Sequence, residues 1–170
     1  MALVIEDGTG KSNADSFTDL ATARAIAANY GVTLPAIDSE AEVALRQGCQ
    51  YLMLSESRFS GSRVSASQAL PWPRKGASNQ YGFEYSYSDI PVQLSYAQVF
   101  AASEFAKGTD VRATDDGKAI ASESVSGAVS VSYFDNGKTG EGVTITRALD
   151  ALKPLLTGSN DGISFRVYRG

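Results

Sequence analysis

The chain's only tryptophan, Trp72, lies between two prolines. Each proline fixes its own φ and has no backbone N–H, and the residue before a proline is driven toward extended backbone. The tripeptide is therefore neither helical nor an ordinary turn, and it carries a large apolar ring on a stiff segment. Because buried aromatic rings usually serve packing, we predict that Pro71, Trp72 and Pro73 brace a long loop against the rest of the fold.

Length and composition predict one globular domain with a core of its own. The chain has 170 residues, of which 43% are hydrophobic and 20% charged, which is ordinary for such a domain. No apolar run is long enough to cross a bilayer, and residues 1–7 lack a signal-peptide pattern, so we expect no membrane partner. The single Cys49 excludes an internal disulfide and predicts a small buried residue in a reducing compartment.

The sequence contains no histidine. The commonest general base, the usual zinc ligand and the Ser-His-Asp triad are therefore all missing. We accordingly expect no enzymatic activity, no metal and no cofactor. The net charge is −4, and a protein that grips phosphates usually carries a dense basic stripe. This chain has only one loose basic group, made of Arg58, Arg63, Arg74 and Lys75.

Two short segments resemble ligand-binding loops without completing them. Gly8-Thr9-Gly10-Lys11-Ser12 ends like a phosphate-binding loop, but Ile5 stands where that motif needs its first glycine. The helix that should begin within the motif is expected only after Ser16, so the amide cradle is missing. The acidic segment 110–117 resembles a calcium loop but lacks the bidentate glutamate that ends one. Both segments are interpreted as turns.

Hydrophobic periodicity predicts four helices and hence a mainly α fold. The predicted segments are 16–31, 38–55, 88–108 and a fourth that opens at Thr144 or Thr146 and includes Leu155 and Leu156. Ser16 is the expected N-cap of the first, with Asp19 as the carboxylate of a capping box. The third is expected to begin at Ser88 or Asp89, and Pro154 is expected to kink or end the fourth.

The remaining segments predict a small amount of β structure. Alternating residues around Ser126-Gly127 predict a β-hairpin at about 120–134. The strand-like tail after residue 162 has no sequence neighbour, so we expect an extended arm that adds to a sheet edge of its own or of a partner. The predicted architecture is a small bundle of three to four helices with an inserted hairpin, a long aromatic-rich loop and this C-terminal arm. The predicted limits are 1–157 for the helical domain and 158–170 for the arm.

The long segment 57–90 has no helical period and is rich in aromatic residues. A connection of this length usually serves function or an interface. Its aromatic and arginine side chains suit the stacking of single-stranded bases, and they equally suit a protein interface. The low basicity favours a protein interface. Under the nucleic-acid hypothesis, binding should be lost on changing Trp72, Tyr85 or Arg74.

Four landmarks follow one another along the chain. They are Val4-Ile5-Glu6-Asp7-Gly8-Thr9-Gly10 with Asn13-Ala14-Asp15-Ser16-Phe17, Arg63-Val64 with Gln68-Ala69-Leu70-Pro71-Trp72-Pro73-Arg74, Ile90-Pro91-Val92-Gln93-Leu94, and Ala148-Leu149-Asp150-Ala151-Leu152-Lys153-Pro154-Leu155-Leu156. In this order they resemble the neck adaptor proteins of tailed bacteriophages, also called head-completion or head-to-tail connector proteins. The resemblance covers the chain to about residue 157.

This resemblance implies a structural role in the virion neck after synthesis in the host cytoplasm. Such proteins form a ring, commonly of twelve copies, that lies between the portal and the tail or nozzle proteins and extends the channel. Genomic DNA would pass through without specific binding. We expect the arm to contact the portal, a neighbouring subunit or the tail. Its apolar anchors would be Phe165, Val167 and Tyr168, and its ionic anchors Arg166 and Arg169.

Two other function classes stay open. Related phage sequences are labelled DnaT-like single-stranded-DNA-binding proteins, which makes single-stranded-DNA binding the alternative to the neck assignment. A peptidoglycan-cleaving enzyme would need two carboxylates facing each other across a groove. Acidic residues are plentiful, but their spacing singles out no such pair.

Overall fold

The computed structural model describes residues 2–79, 81–109, 123–125, 129–131 and 144–157. Within these ranges the chain forms four helices and two pairs of short strands, which confirms the predicted mainly α fold with a small hairpin. The helices are α1 (Leu20–Asn29), α2 (Asp38–Met53), α3 (Val92–Ala106) and α4 (Thr146–Leu152). The strands are β1 (Ser62–Arg63), β2 (Arg74–Lys75), β3 (Glu123–Val125) and β4 (Val129–Val131).

The chain divides into two compact units. The helical unit consists of residues up to Thr109 and from Ile145 onward, and the second unit is Asp110–Thr144. Strands β3 and β4 of the second unit pair antiparallel, with Ser124 opposite Ser130. The predicted C-terminal arm, with Phe165, Arg166, Val167, Tyr168 and Arg169, lies outside the described residues, and so does the acidic segment 110–117.

Helix α3 is the centre of the helical unit and packs against α1, α2 and α4. Residues 97–103 are buried without interruption, so this helix has no solvent face along two turns. Around it lies a core of small and branched side chains, which are Ala23, Ile26, Ala27, Leu34, Ala44, Leu45, Val99 and Ala102.

Helices α2 and α3 approach each other closely at Gly48. A Cβ atom there would lie 2.5 Å from the carbonyl oxygen of Gln98 and 2.9 Å from the amide nitrogen of Ala102. No larger residue fits between two backbones at that separation, so the glycine sets how deeply α2 can pack against α3.

Gln98 joins three parts of the helical unit through one fully buried amide. Its Oε1 accepts a hydrogen bond from the Phe17 amide at 2.9 Å. Its Nε2 donates to the Ser16 hydroxyl at 2.8 Å and to the Leu45 carbonyl at 2.9 Å. The N-terminal segment is thereby fastened to both α2 and α3.

Two helix starts differ from prediction because other bonds compete for the capping side chains. Asp19, rather than Ser16, is the N-cap of α1 and accepts from the Thr22 amide at 2.9 Å. Asp89 accepts from the Ser86 amide within a separate turn, so α3 begins only after Pro91. Helix α2 has no side-chain cap, since its N-cap is Ile37.

Helix α4 ends at Leu152, two residues before Pro154, the residue expected to kink or end it. The chain tightens there into a 3₁₀ turn, Lys153–Leu155, since proline cannot continue the α-helical hydrogen bonding. The start of α4 is tied to α2 by a hydrogen bond of 3.0 Å from the Ile145 amide to the Tyr51 hydroxyl. These contacts place residues 156 and 157 beside the segment that precedes β1.

Candidate functional site

The segment between α2 and α3 folds into a layer of short antiparallel pairs. Strands β1 and β2 pair with Ser62 opposite Lys75. The hydroxyl of Ser60 bonds to both the carbonyl and the amide of Ser78, each at 3.2 Å. Phe59, just before this layer, pairs with Leu156 next to the end of α4. The layer is therefore anchored beside the end of α4.

Pro71, Trp72 and Pro73 lie in the interior, and all three side chains are fully buried. The Trp72 ring meets Phe59 edge to face at a centroid distance of 6.3 Å. It meets Tyr85 at 5.5 Å with an interplanar angle of 90°. The structure places Trp72 between the rings of Phe59 and Tyr85. The bracing role of the tripeptide stays a prediction.

A narrow turn, which we call the aromatic ribbon (residues 77–79 and 81–87), extends from the layer. The Asn79 amide donates to the Phe83 carbonyl at 2.9 Å, and the Gly82 amide donates to the Asn79 carbonyl at 2.9 Å. The Asn79 side-chain carbonyl accepts from the amides of Tyr81 at 3.0 Å and Phe83 at 3.1 Å. One asparagine thus organises the whole turn, as short polar side chains commonly do.

Three aromatic side chains of the ribbon face solvent. Tyr81 is 76% exposed, Phe83 70% and Tyr87 68%. Only Tyr85 points inward, where it covers Trp72. Soluble domains rarely expose several large aromatic rings within seven residues without a binding role, because each forgoes the free energy of burial. Among the described residues of the ribbon, β pairing is limited to one bridge between Ser78 and Glu84.

Arg74 is turned into the layer, contrary to its expected role in binding nucleic acid. Its Nε donates to the Ser60 carbonyl at 2.7 Å and its Nη2 to the Gly61 carbonyl at 2.7 Å. Its Nη1 donates to the Pro71 carbonyl at 3.2 Å. The side chain is only 8% exposed. The guanidinium therefore joins parts of the layer through internal hydrogen bonds and cannot reach a phosphate.

Arg63 is also occupied internally. It forms a two-pronged ion pair with Glu56, with Nε to Oε1 at 2.5 Å and Nη2 to Oε2 at 2.6 Å. Its Nη1 donates to the Gln68 carbonyl at 2.7 Å. Of the basic group predicted from the sequence, Arg58 and Lys75 are exposed. Within the described ranges no ion pair is recorded for either of these two side chains.

The Glu56–Arg63 pair predicts a specific response to acid. Hydrogen bonds from Arg63 hold the pKa of Glu56 below its ordinary value of 4.5. A lowered folded pKa stabilises the fold above pH 4.5, and this stabilisation is lost as the pH falls through the lowered value. Replacing Glu56 with glutamine should therefore cost about 1 kcal/mol at neutral pH, a modest figure because the pair is partly solvated.

Denaturant unfolding of Glu56→Gln and wild type between neutral and strongly acidic pH measures this effect. The gap between their unfolding free energies should shrink as the pH falls. Glu84→Gln, which changes an exposed glutamate of the ribbon, serves as the control and should track wild type throughout. A gap that stays constant with pH would assign the loss to shape rather than charge.

The glycine-rich segment that resembled a phosphate loop already holds an anion of its own. The buried carboxylate of Glu6 accepts from the amides of Gly8, Gly10 and Lys11, each at 2.9 Å. The Lys11 ammonium pairs with Asp7 at 2.9 Å. The amides that would cradle a phosphate are therefore used up, which agrees with the interpretation of this segment as a turn.

In the part of the chain that the structure describes, none of the helices is both long and apolar enough to span a bilayer. The same part contains no group of three or more cysteine or acidic side chains arranged to hold a metal ion.

Comparison with known families decides the classification. Residues 1–170 match the model of the family described as "Putative DnaT-like ssDNA binding protein". The chain belongs to this DnaT-like family. Neither the curated proteins nor the solved structures yield a match.

The DnaT-like classification overturns the neck-adaptor prediction. The assignment to the head-to-tail connector family is wrong, and with it the virion ring, the portal and tail or nozzle partners, and DNA passage without binding. Two steps of the sequence reasoning failed. The landmarks were individually weak, and the net charge of −4 is an average that says little about one local surface. Aromatic stacking can hold single-stranded nucleic acid without a dense basic stripe.

The site predicted from the sequence also omitted the residues that the structure shows to be exposed on and beside the ribbon. Tyr81, Phe83 and Tyr87 entered the prediction only as part of an aromatic-rich stretch, and Lys75 only as part of a loose basic group. One local signal was available, because Asn79 and Gly82 bracket Tyr81 in a turn-forming pattern. Aromatic residues on both sides of a tight turn cannot all reach the core.

Proposed function

We propose that this DnaT-like protein binds single-stranded DNA through the aromatic ribbon and acts by binding rather than by catalysing a reaction. The family match supports the ligand class. The observation that carries the choice of site is the exposure of Tyr81, Phe83 and Tyr87, at 76%, 70% and 68%. Single-strand binders characteristically present such rings, because every base has a face on which an aromatic side chain can stack.

The ribbon suits unpaired rather than paired bases. In a duplex the faces of the bases are stacked on one another and are closed to side chains, whereas in a single strand they are free. The hydrogen bonds around Asn79 hold the turn in one conformation, so Tyr81 and Phe83 are presented without a large cost in ordering on binding.

The electrostatics of the site provide a weaker second contribution. Lys75 lies on β2, and Arg58 is two residues from Ser60, whose side chain bonds to the base of the ribbon at Ser78. Both cations can therefore meet phosphates of a strand that crosses the ribbon. Glu84 and Asp89 are also exposed, and their negative charges repel the phosphates of a nucleic acid. We accordingly infer that stacking supplies most of the affinity and that phosphate contacts supply less.

Substitution of the ribbon's rings tests the proposal. Changing both Tyr81 and Phe83 to alanine should lower the affinity for a fluorescently labelled oligothymidylate by roughly thirtyfold or more, since stacking contributes about 1–3 kcal/mol per base and two rings are removed. Fluorescence anisotropy titration measures the affinity. Both rings are solvent-exposed, so the unfolding midpoint should stay at the wild-type value.

The matched control replaces an exposed apolar side chain elsewhere. Ile37 is 58% exposed and precedes α2, so Ile37→Ala should bind as wild type does. A duplex of the same sequence should bind more weakly than the single strand. Absence of binding by the wild-type protein, or full binding by the double variant, would overturn the proposed function.

A further inference from the structure

The indole N–H of Trp72 is a buried donor without an acceptor. Trp72 is fully buried, and its Nε1 has no hydrogen-bond partner among the described residues. Buried tryptophans usually find such a partner, because an unpaired donor in the interior is costly. The same neighbourhood satisfies its other polar groups well, since Arg74 and Gln68 each bond to backbone carbonyls there. The unpaired indole is therefore an exception in a well-bonded layer.

Tyr85 separates this indole from the surface that we assign to DNA. Its ring stands at 90° to the Trp72 ring with a centroid distance of 5.5 Å. The side chain is half-buried, and burial raises the pKa of its phenol above the ordinary value. No hydrogen bond of its hydroxyl is recorded within the described ranges. The side chain of Tyr85 is thus held against Trp72 by packing.

The backbone around Tyr85 can move at small cost. Its amide donates to the Ala77 carbonyl at 2.9 Å, and the next pairing along the ribbon is the Asn79–Phe83 bond at 2.9 Å. Gly76, at the base of the ribbon, has φ +65° and open space around its α-carbon. Because Ser60 holds Ser78 to the layer, the movement is confined to the segment that carries Tyr85, as in loops at binding sites.

We propose that Trp72 and Tyr85 form a closed base-binding pocket, in which Tyr85 turns outward and one unpaired nucleobase takes its place against the indole. This inference rests on the proposed function and adds a buried subsite to the exposed rings of the ribbon. The contact that the base replaces is edge to face, at 90°, and a base can make an edge contact of the same kind. A carbonyl oxygen of thymine, cytosine or guanine supplies the acceptor that the Trp72 N–H lacks.

Photocrosslinking with the wild-type protein tests the pocket directly. An oligothymidylate that carries single 5-iododeoxyuridine substitutions is bound, irradiated and mapped by mass spectrometry. We expect an adduct on Trp72, together with at least a twofold fall in tryptophan emission at saturation. Because Trp72 is the only tryptophan, the emission reports on this one ring. Binding observed by anisotropy without a Trp72 adduct would overturn the pocket and leave the proposed function standing. Absence of binding would overturn both.

A pair of variants tests the covering role of Tyr85. Tyr85→Ala should make Trp72 in the free protein several-fold more sensitive to quenching by acrylamide. Tyr87→Ala removes a neighbouring ring that is 68% exposed and should leave quenching at the wild-type level. Circular dichroism checks that both variants are folded. The crosslinking experiment uses only the wild-type protein, so its result does not depend on the folding of either variant. Equal quenching of Tyr85→Ala and wild type would overturn the covering role.

Discussion

Replacing Gln98 with leucine is expected to lower the free energy of unfolding by about 3 kcal/mol, because it strands several buried polar groups at once. The leucine fills nearly the same space but makes none of the three hydrogen bonds of the amide. The Phe17 amide loses its only recorded acceptor, and the Ser16 hydroxyl and the Leu45 carbonyl each lose a donor. Buried groups left unpaired in this way typically cost more than an intact hydrogen bond contributes.

Urea unfolding followed by circular dichroism measures the loss. Gln50→Leu, on the exposed face of α2, is the matched control and should stay within about 0.5 kcal/mol of wild type. A Gln98→Leu protein as stable as this control would mean that the N-terminal segment is held by its apolar contacts alone. The role assigned to the buried amide would then be wrong.

Replacing Arg74 with methionine is expected to cost about 3–5 kcal/mol, the range found when one partner of a buried charged network is removed. The methionine keeps much of the apolar stem and loses every bond of the guanidinium. Three carbonyls, those of Ser60, Gly61 and Pro71, would lose their donor in the interior. Those bonds tie the start of β1 to the Pro-Trp-Pro segment, so the layer under the aromatic ribbon should loosen.

Chemical unfolding and tryptophan emission together measure this second effect. Lys75→Met is the matched control at the next position, where the side chain is exposed, and it should unfold as wild type does. Arg74→Lys should recover little, because one ammonium cannot reach three diverging carbonyls as a planar guanidinium does. An Arg74→Met protein with wild-type stability and unchanged Trp72 emission would refute the proposal that the hydrogen bonds of Arg74 stabilise the layer.

The helices of the protein were predictable, and their starting residues were only partly so. Periodicity located all four, because the spacing of apolar residues is local to each helix. The N-cap of α1 depended on a choice between Ser16 and Asp19, which are equally good capping residues. The choice is made by Gln98, eighty-two residues from Ser16, which takes the Ser16 hydroxyl for itself. For α3 the prediction passed over a local rule, since the residue before Pro91 avoids helical backbone.

The candidate site was predictable as a region and not as a set of residues. Composition marked 57–90 as a binding segment rich in rings and arginines. Which rings face outward depends on the turn around Asn79 and on the pairing of the ribbon with the segment before β1. The inward direction of Arg74 depends on carbonyls of residues 60 and 61, brought to it by strand pairing. No window of sequence contains those partners together.

By itself the sequence determined the number and type of the main elements, the stiff Pro-Trp-Pro segment and the lack of histidine chemistry. These features are properties of residues and of their near neighbours, so they can be read in one dimension. Tertiary structure alone decided that Trp72 is closed over by Tyr85, that Arg74 faces the core, and that Tyr81 and Phe83 face solvent. A side chain's direction depends on groups distant in sequence that folding brings beside it, and the same distant groups determine whether a cation or a ring is free to meet a ligand.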